Sequence, residues 1–177
     1  MEVARFEITT KMEPEDYKKF MYIATFFRKK STIPMLVTVS LLGSLWINFA
    51  WGNITTLGFF IVAVIMLAFV AGVIYFKITR RVKQRIKTDN TGTMGSDSVL
   101  RFYDDHLEME SETFKSHSEL RYEQFYELME TKDYYMFYIS VNQAYMVRKK
   151  DIKEDDCTTF YEFLQGVFVG RYKKMGI

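Results

Sequence analysis

The chain has 177 residues, 24 basic and 22 acidic side chains and a formal net charge of +2. That near balance excludes the globally polycationic class of nucleic-acid binder. A single cysteine, Cys157, excludes an intrachain disulfide or a paired-thiol metal site and agrees with a reducing compartment. The mean hydropathy of -0.09 conceals a strongly uneven distribution.

In chain order, Val3 to Thr9 alternates in the manner of a short strand, and Pro14 to about Lys30 reads as a helix. Pro14 suits the first turn, and Glu15 and Asp16 complement the positive end of the helix dipole. Tyr17, Phe20, Met21, Ala24 and Phe27 recur at three- and four-residue steps, a face expected to pack on a cytosolic domain, with the membrane interface as the alternative.

Ile33 to Trp51 and Ile54 to Phe76 contain no Asp, Glu, Lys, Arg or His and are separated by Gly52 and Asn53. Each run suffices to cross a hydrocarbon core of about 30 Å, which takes about 20 helical residues. The pattern predicts a transmembrane hairpin. Arg28, Lys29 and Lys30 precede it and a basic stretch follows it, so both termini are expected on the cytoplasmic side of the cell membrane. The first apolar run starts too late for a cleaved signal peptide. Trp46, Trp51 and Tyr75 are candidate interfacial anchors. Thr38, Ser40, Ser44 and Asn48 are expected to hydrogen-bond within the hairpin or between subunits. Ala68 and Gly72 would permit close helix approach, in the hairpin or in a homo-oligomer.

The basic stretch supplies the candidate binding residues: Lys77, Arg80, Arg81, Lys83, Arg85 and Lys87, without an acid among them. Ile78, Val82 and Ile86 form a narrow apolar stripe, which suggests a juxtamembrane amphipathic helix with its charges near anionic lipid head groups, about 1 kcal/mol for each, the alternative being ordinary charges that only fix the topology. A patch held against a bilayer is poorly placed for a nucleic-acid duplex, so membrane lipids are the expected partners.

Asp89 to Asp97 reads as a linker. Beyond it, Val99 to Tyr103, His106 to Glu110, Phe114 to Tyr122, Tyr126 to Glu130, Tyr134 to Ser140 and Ala144 to Arg148 read as strands. The expected turns are at Asp104-Asp105, Lys132-Asp133 and Asn142-Gln143. Glu154-Asp155-Asp156 opens a final helix with the face Cys157, Phe160, Tyr161, Leu164, Val167 and Phe168, which predicts a buried thiol. The fold class is therefore α+β: a two-helix membrane hairpin plus a small antiparallel sheet or open barrel closed by a C-terminal helix. The expected divisions are 1–30, 31–88 and 89–177.

Phe102-Tyr103-Asp104-Asp105-His106-Leu107, the run Tyr122 to Thr131, Tyr135 to Ile139 and Met146-Val147-Arg148-Lys149-Lys150 resemble the bacterial YcxB-like family, over nearly the whole chain. The resemblance implies a pleckstrin-homology-like cytosolic domain and no established catalytic activity. Phosphoinositide binding does not carry over, because Asp104 and Asp105 stand where an anionic head group would need cations. Arg148, Lys149 and Lys150 read as a solvated charge run.

His106, with Asp104, Asp105 and His117, is the best catalytic or metal-binding constellation, but ordinary surface strand positions account for both histidines. Phosphate-cradling glycine loops, nucleophile elbows and paired-cysteine metal spacings are absent from the sequence. The expectation is a non-enzymatic protein without cofactor or metal, whose cytosolic domain binds a protein, peptide or lipid surface. The alternative is a subunit of a transport or toxin-protection system acting through its hairpin, although no ionisable residue lies within the spans.

Overall fold

The computed structural model describes residues 3–28, 31–52, 55–89, 95–111, 116–141 and 143–176. It separates into two compact units, Glu13–Asn90 and Met1–Met12 with Thr91–Ile177. The strand and helix read together as 1–30 thus fall in different units. Lys29, Lys30, Asn53, Ile54, Phe114, Asn142 and the middle of the 89–97 linker lie outside the described residues.

The helical unit holds α1 (Pro14–Tyr22), continued by a π-helical segment Ile23–Arg28, then α2 (Thr32–Ala50) and α3 (Thr56–Lys87). Pro14 starts α1, and Asp16 accepts the Glu13 N–H at 3.1 Å, satisfying a donor that the helix end leaves open. Thr55 accepts the Gly58 N–H at 3.2 Å and opens α3 in the same way. Gly52, with φ of 69°, ends the turn after α2 in a conformation that a side chain would strain.

Helices α2 and α3 are both long and apolar enough to span a membrane. Their side chains point outward: Leu57 is 73% exposed, Phe69 68% and Trp46 73%. The polar residues of α2 turn inward instead. Ser40, Ser44 and Asn48 are buried at four-residue spacing, so they share one face. Ser44 Oγ donates to the Phe59 carbonyl of α3 at 2.7 Å, while Ser40 and Asn48 bond back to the carbonyls of Leu36 and Ser44.

Close approach occurs at Gly43, where an added Cβ would lie 2.6 Å from Met66 Cε, and at buried Ala63. It does not occur at Ala68 and Gly72: both are exposed, and Gly72 faces open space. The four-residue spacing puts Ala68 and Gly72 on one face of α3, and that face is turned away from α2.

The cover for α1 within this unit is α3, where the sequence led us to expect a cytosolic domain. Tyr22 stacks on Tyr75 at 5.8 Å, and Lys18 Nζ lies over the Tyr75 ring at 5.6 Å. Tyr75 is therefore held by α1 as well as placed near a span end.

The second unit contains two four-stranded sheets. One has the order β1 (Phe6–Lys11), β2 (Asp97–Phe102), β3 (His106–Ser111), β4 (Ser116–Arg121), all antiparallel. The other has the order β7 (Gln143–Arg148), β6 (Tyr134–Ser140), β5 (Glu127–Glu130), β8 (Tyr172–Lys174), with β8 parallel to β5. Thr10 Oγ1 of β1 donates to Asp151, just beyond β7, at 2.6 Å. Helix α4 (Cys157–Val167) lies between β7 and β8 in sequence.

Alternation decides which face of the first sheet is inner. Ile8, Leu100, Phe102, Leu107 and Met109 are buried in one core with Phe137, Val147, Phe160, Leu164 and Phe168. Phe160 meets Phe6, Phe102 and Tyr135 edge-on at 4.9–5.7 Å, and Phe168 meets Tyr122, Phe125 and Phe137 at 5.7–5.9 Å. Those are favourable aromatic geometries.

Cys157 is exposed, not buried, and its thiol donates to the Lys153 carbonyl at 3.3 Å. It is the first residue of α4, one turn before the core-facing stripe begins at Phe160. Strand β8 was not anticipated. Three residues with two lysines carry no alternation signal, and their place depends on β5.

Candidate functional site

The C-terminal part of α3 carries Lys77, Arg80, Arg81, Lys83, Arg85 and Lys87, all exposed. None of their charged groups has an ion pair among the described residues. The helix continues without a break from the apolar segment into this basic end, as the sequence predicts. The apolar stripe differs from expectation: Ile78 and Val82 are each only 4% exposed, and Ile86 alone is open at 38%. Packing within the protein covers Ile78 and Val82, so the outward surface of this end is polar apart from Ile86.

The other basic group is committed internally. Arg148 forms a two-pronged pair with Asp151, at 2.6 and 2.9 Å. Lys149 donates to Glu130 at 2.5 Å and lies over the Tyr135 ring at 4.9 Å. Arg148–Lys150 is therefore mostly a structural element and not a solvated run, leaving Lys150 as its exposed member.

Glu127 and Glu130 are 4% exposed, and each has cationic partners. Lys173 donates to Glu127 at 2.5 Å, while Lys149 and the Tyr172 hydroxyl, at 2.6 Å, donate to Glu130. Burial opposes ionisation of Glu130, but the Lys149 and Tyr172 hydrogen bonds outweigh it and hold the carboxyl below its ordinary range. Burial, reinforced by the Glu130 hydrogen bond, pushes the Tyr172 hydroxyl well up.

The outer face of the first sheet places Glu7, Arg101, Glu108 and Glu119 in one row across four strands. Arg101 donates to Glu7 at 2.9 Å and Glu110 at 2.8 Å, and those bonds raise its already high pKa. His106 stacks on Tyr103 at 4.5 Å, and its Nδ1 lies 2.6 Å from Asp105. That hydrogen bond holds the Asp105 carboxyl below the usual carboxylate range. Asp104 pairs with Arg5.

Of the predicted constellation, Asp105 meets His106 directly, and both histidines approach a residue the sequence reading passed over. His106 Nε2 is 4.0 Å and His117 Nε2 is 3.9 Å from Glu108 Oε1. Glu119 joins His106 and Glu108, with the three ligand atoms within 4.8 Å of one another. The usable signal was the two-residue spacing His106-x-Glu108 and His117-x-Glu119, which puts each pair on one face of its strand.

Two lipid-length apolar helices and a two-sheet α+β unit with an aromatic core define a helical-hairpin and β-domain protein. Within the latter unit, residues 102–164 match the family described as YcxB-like protein. The family resemblance is thus met, over a stretch that runs from β2 to α4 instead of nearly the whole chain. No curated protein and no solved structure matches the chain.

Proposed function

We propose that this is a two-span membrane protein with both termini in the cytoplasm, presenting a non-enzymatic, pleckstrin-homology-like domain that binds a protein, peptide or lipid surface. The observation that carries the reading is the build of α3. Its apolar part, Thr56 to Phe76, is about 31 Å long at about 1.5 Å per residue, which matches the hydrocarbon thickness. It passes directly into six exposed cations that no described carboxylate neutralises. Anionic head groups are the natural counter-charge for that end, and the positive-inside bias places it in the cytoplasm.

The buried polar residues of α2 favour this over a transport or toxin-protection subunit. Ser40, Ser44 and Asn48 spend their hydrogen bonds on backbone carbonyls inside the hairpin, as helix packing requires, and do not line a polar path.

Cys157, exposed and the sole thiol, provides the test. A membrane-impermeant maleimide should label the full chain in inverted membrane vesicles and leave it unlabelled in intact cells. Labelling in intact cells overturns the orientation. Replacing residues 31–76 by an unrelated two-span hairpin then tests the domain: retained biological activity supports it, and lost activity moves the function into the spans.

A further inference from the structure

We propose that the outer face of the β3–β4 hairpin binds one divalent transition-metal ion through His106 Nε2, Glu108 Oε1, Glu119 and His117 Nε2. The pairing register brings His106, Glu108 and Glu119 together, their ligand atoms within 4.8 Å of one another, and places His117 beside Glu108 at 3.9 Å. Glu108 stands directly opposite Glu119, and each is two residues from a histidine on the same face. Two carboxylates directly opposite across a strand pair repel one another. The nearest cation in the row, Arg101, is engaged by Glu7 and Glu110, and Glu119 has no ion pair among the described residues. A cation between Glu108 and Glu119 relieves that repulsion.

The surrounding contacts prepare Glu108 and His106 as ligands. Asp105 engages His106 Nδ1 at 2.6 Å, leaving Nε2 directed toward Glu108. A carboxylate behind an imidazole is the usual support of a metal-bound histidine. Stacking on Tyr103 fixes the ring plane, and the same Tyr103 donates its hydroxyl to Glu108 Oε2 at 3.0 Å. Glu108 Oε1 is left as the hub that both Nε2 atoms approach.

Tetrahedral zinc with bonds of about 2.1 Å separates its ligand atoms by about 3.4 Å. The observed 3.9–4.0 Å contacts therefore need a contraction of about half an ångström. Glu119, within 4.8 Å of the other two, has further to move, and His117, which approaches Glu108 but lies outside that three-atom group, has further still; both are exposed on edge strand β4, where the His117 side chain is 57% exposed. Two imidazole nitrogens with two carboxylates suit zinc and its neighbours, not magnesium or calcium, which prefer all-oxygen sets.

The test uses the full chain in detergent, without a polyhistidine tag and carrying Cys157→Ser so that the exposed thiol does not compete. Zinc is titrated calorimetrically, and cobalt(II) is followed by its ligand-field absorption. The expected result is one ion per chain with a tetrahedral cobalt spectrum. Affinity should fall at least tenfold in both Glu119→Gln and His117→Ala, whose exposed positions leave the fold intact by circular dichroism. Tyr103→Phe should weaken binding by about tenfold through the lost support to Glu108. Absence of zinc binding by the parent chain, or binding that neither Glu119→Gln nor His117→Ala changes, overturns the proposal.

Discussion

Replacing Arg171 with Met should loosen the connection between β4 and β5, although Arg171 is remote from that connection in sequence. Its Nη1 donates to the carbonyls of Tyr122 and Glu123 at 3.2 Å and of Phe125 at 2.8 Å. Its own carbonyl accepts the Leu128 N–H at 2.9 Å, and its guanidinium lies 5.8 Å from the Phe168 ring. Methionine keeps most of the aliphatic packing and the backbone bond but removes the donors. Hydrogen bonds from a charged group contribute about 1.5–3 kcal/mol, and three acceptors sharing one nitrogen do not add fully. Arg171 is half-buried, so the lower part of that range applies, about 2 kcal/mol. At 1.36 kcal/mol per tenfold, the segment around residues 122–128 should open about 30-fold more often. Amide hydrogen exchange by mass spectrometry reads this directly as faster exchange in peptides spanning β4 to β5, with the helical unit unchanged. Arg171→Lys should recover only part of the protection, because an ammonium does not reproduce the planar array of donors. An opening free energy in Arg171→Met within about 0.5 kcal/mol of the parent, the usual scatter for a surface change, refutes the reasoning.

Two further outcomes follow from the hairpin and the buried carboxylates. Gly43→Leu should separate α2 from α3: the added Cβ alone meets Met66 Cε at 2.6 Å, so the Met66 side chain has to move, and the branched remainder then competes with it for the same space. Overpacking of this kind costs about 1–3 kcal/mol. A disulfide-crosslinking series along the hairpin should lose efficiency in Gly43→Leu and keep it in Gly72→Leu, which enters open space. For pH, the lowered pKa of Glu130 means the unfolded chain binds its proton more tightly than the folded one. The stabilisation is therefore present above the ordinary glutamate value of about 4.3 and is lost as pH falls through the folded value. Glu130→Gln should flatten the acid limb of a thermal-melting profile; an unchanged limb would assign the acid sensitivity to other groups.

Periodicity and charge made most elements of this protein readable without coordinates. Charge-free runs of span length placed α2 and α3, and the basic stretch from Lys77 to Lys87 fixed where the apolar part of α3 gives way to a polar one, because both are properties of consecutive residues. Leu107 and Met109 alternating with Glu108 and Glu110 placed β3 and its inner face for the same reason. Only tertiary structure decided what depends on pairing between distant segments. It joined β1 to β2 and recruited Lys173 and Tyr172 to buried carboxylates through a strand too short to signal itself. It turned Cys157 outward one turn before the core-facing stripe begins. It also set Glu108 opposite Glu119. A strand's alternation specifies which residues share a face, but the register against its neighbour specifies which charges meet there. Register is fixed by the packing of the whole sheet on its core, not by any local stretch of chain.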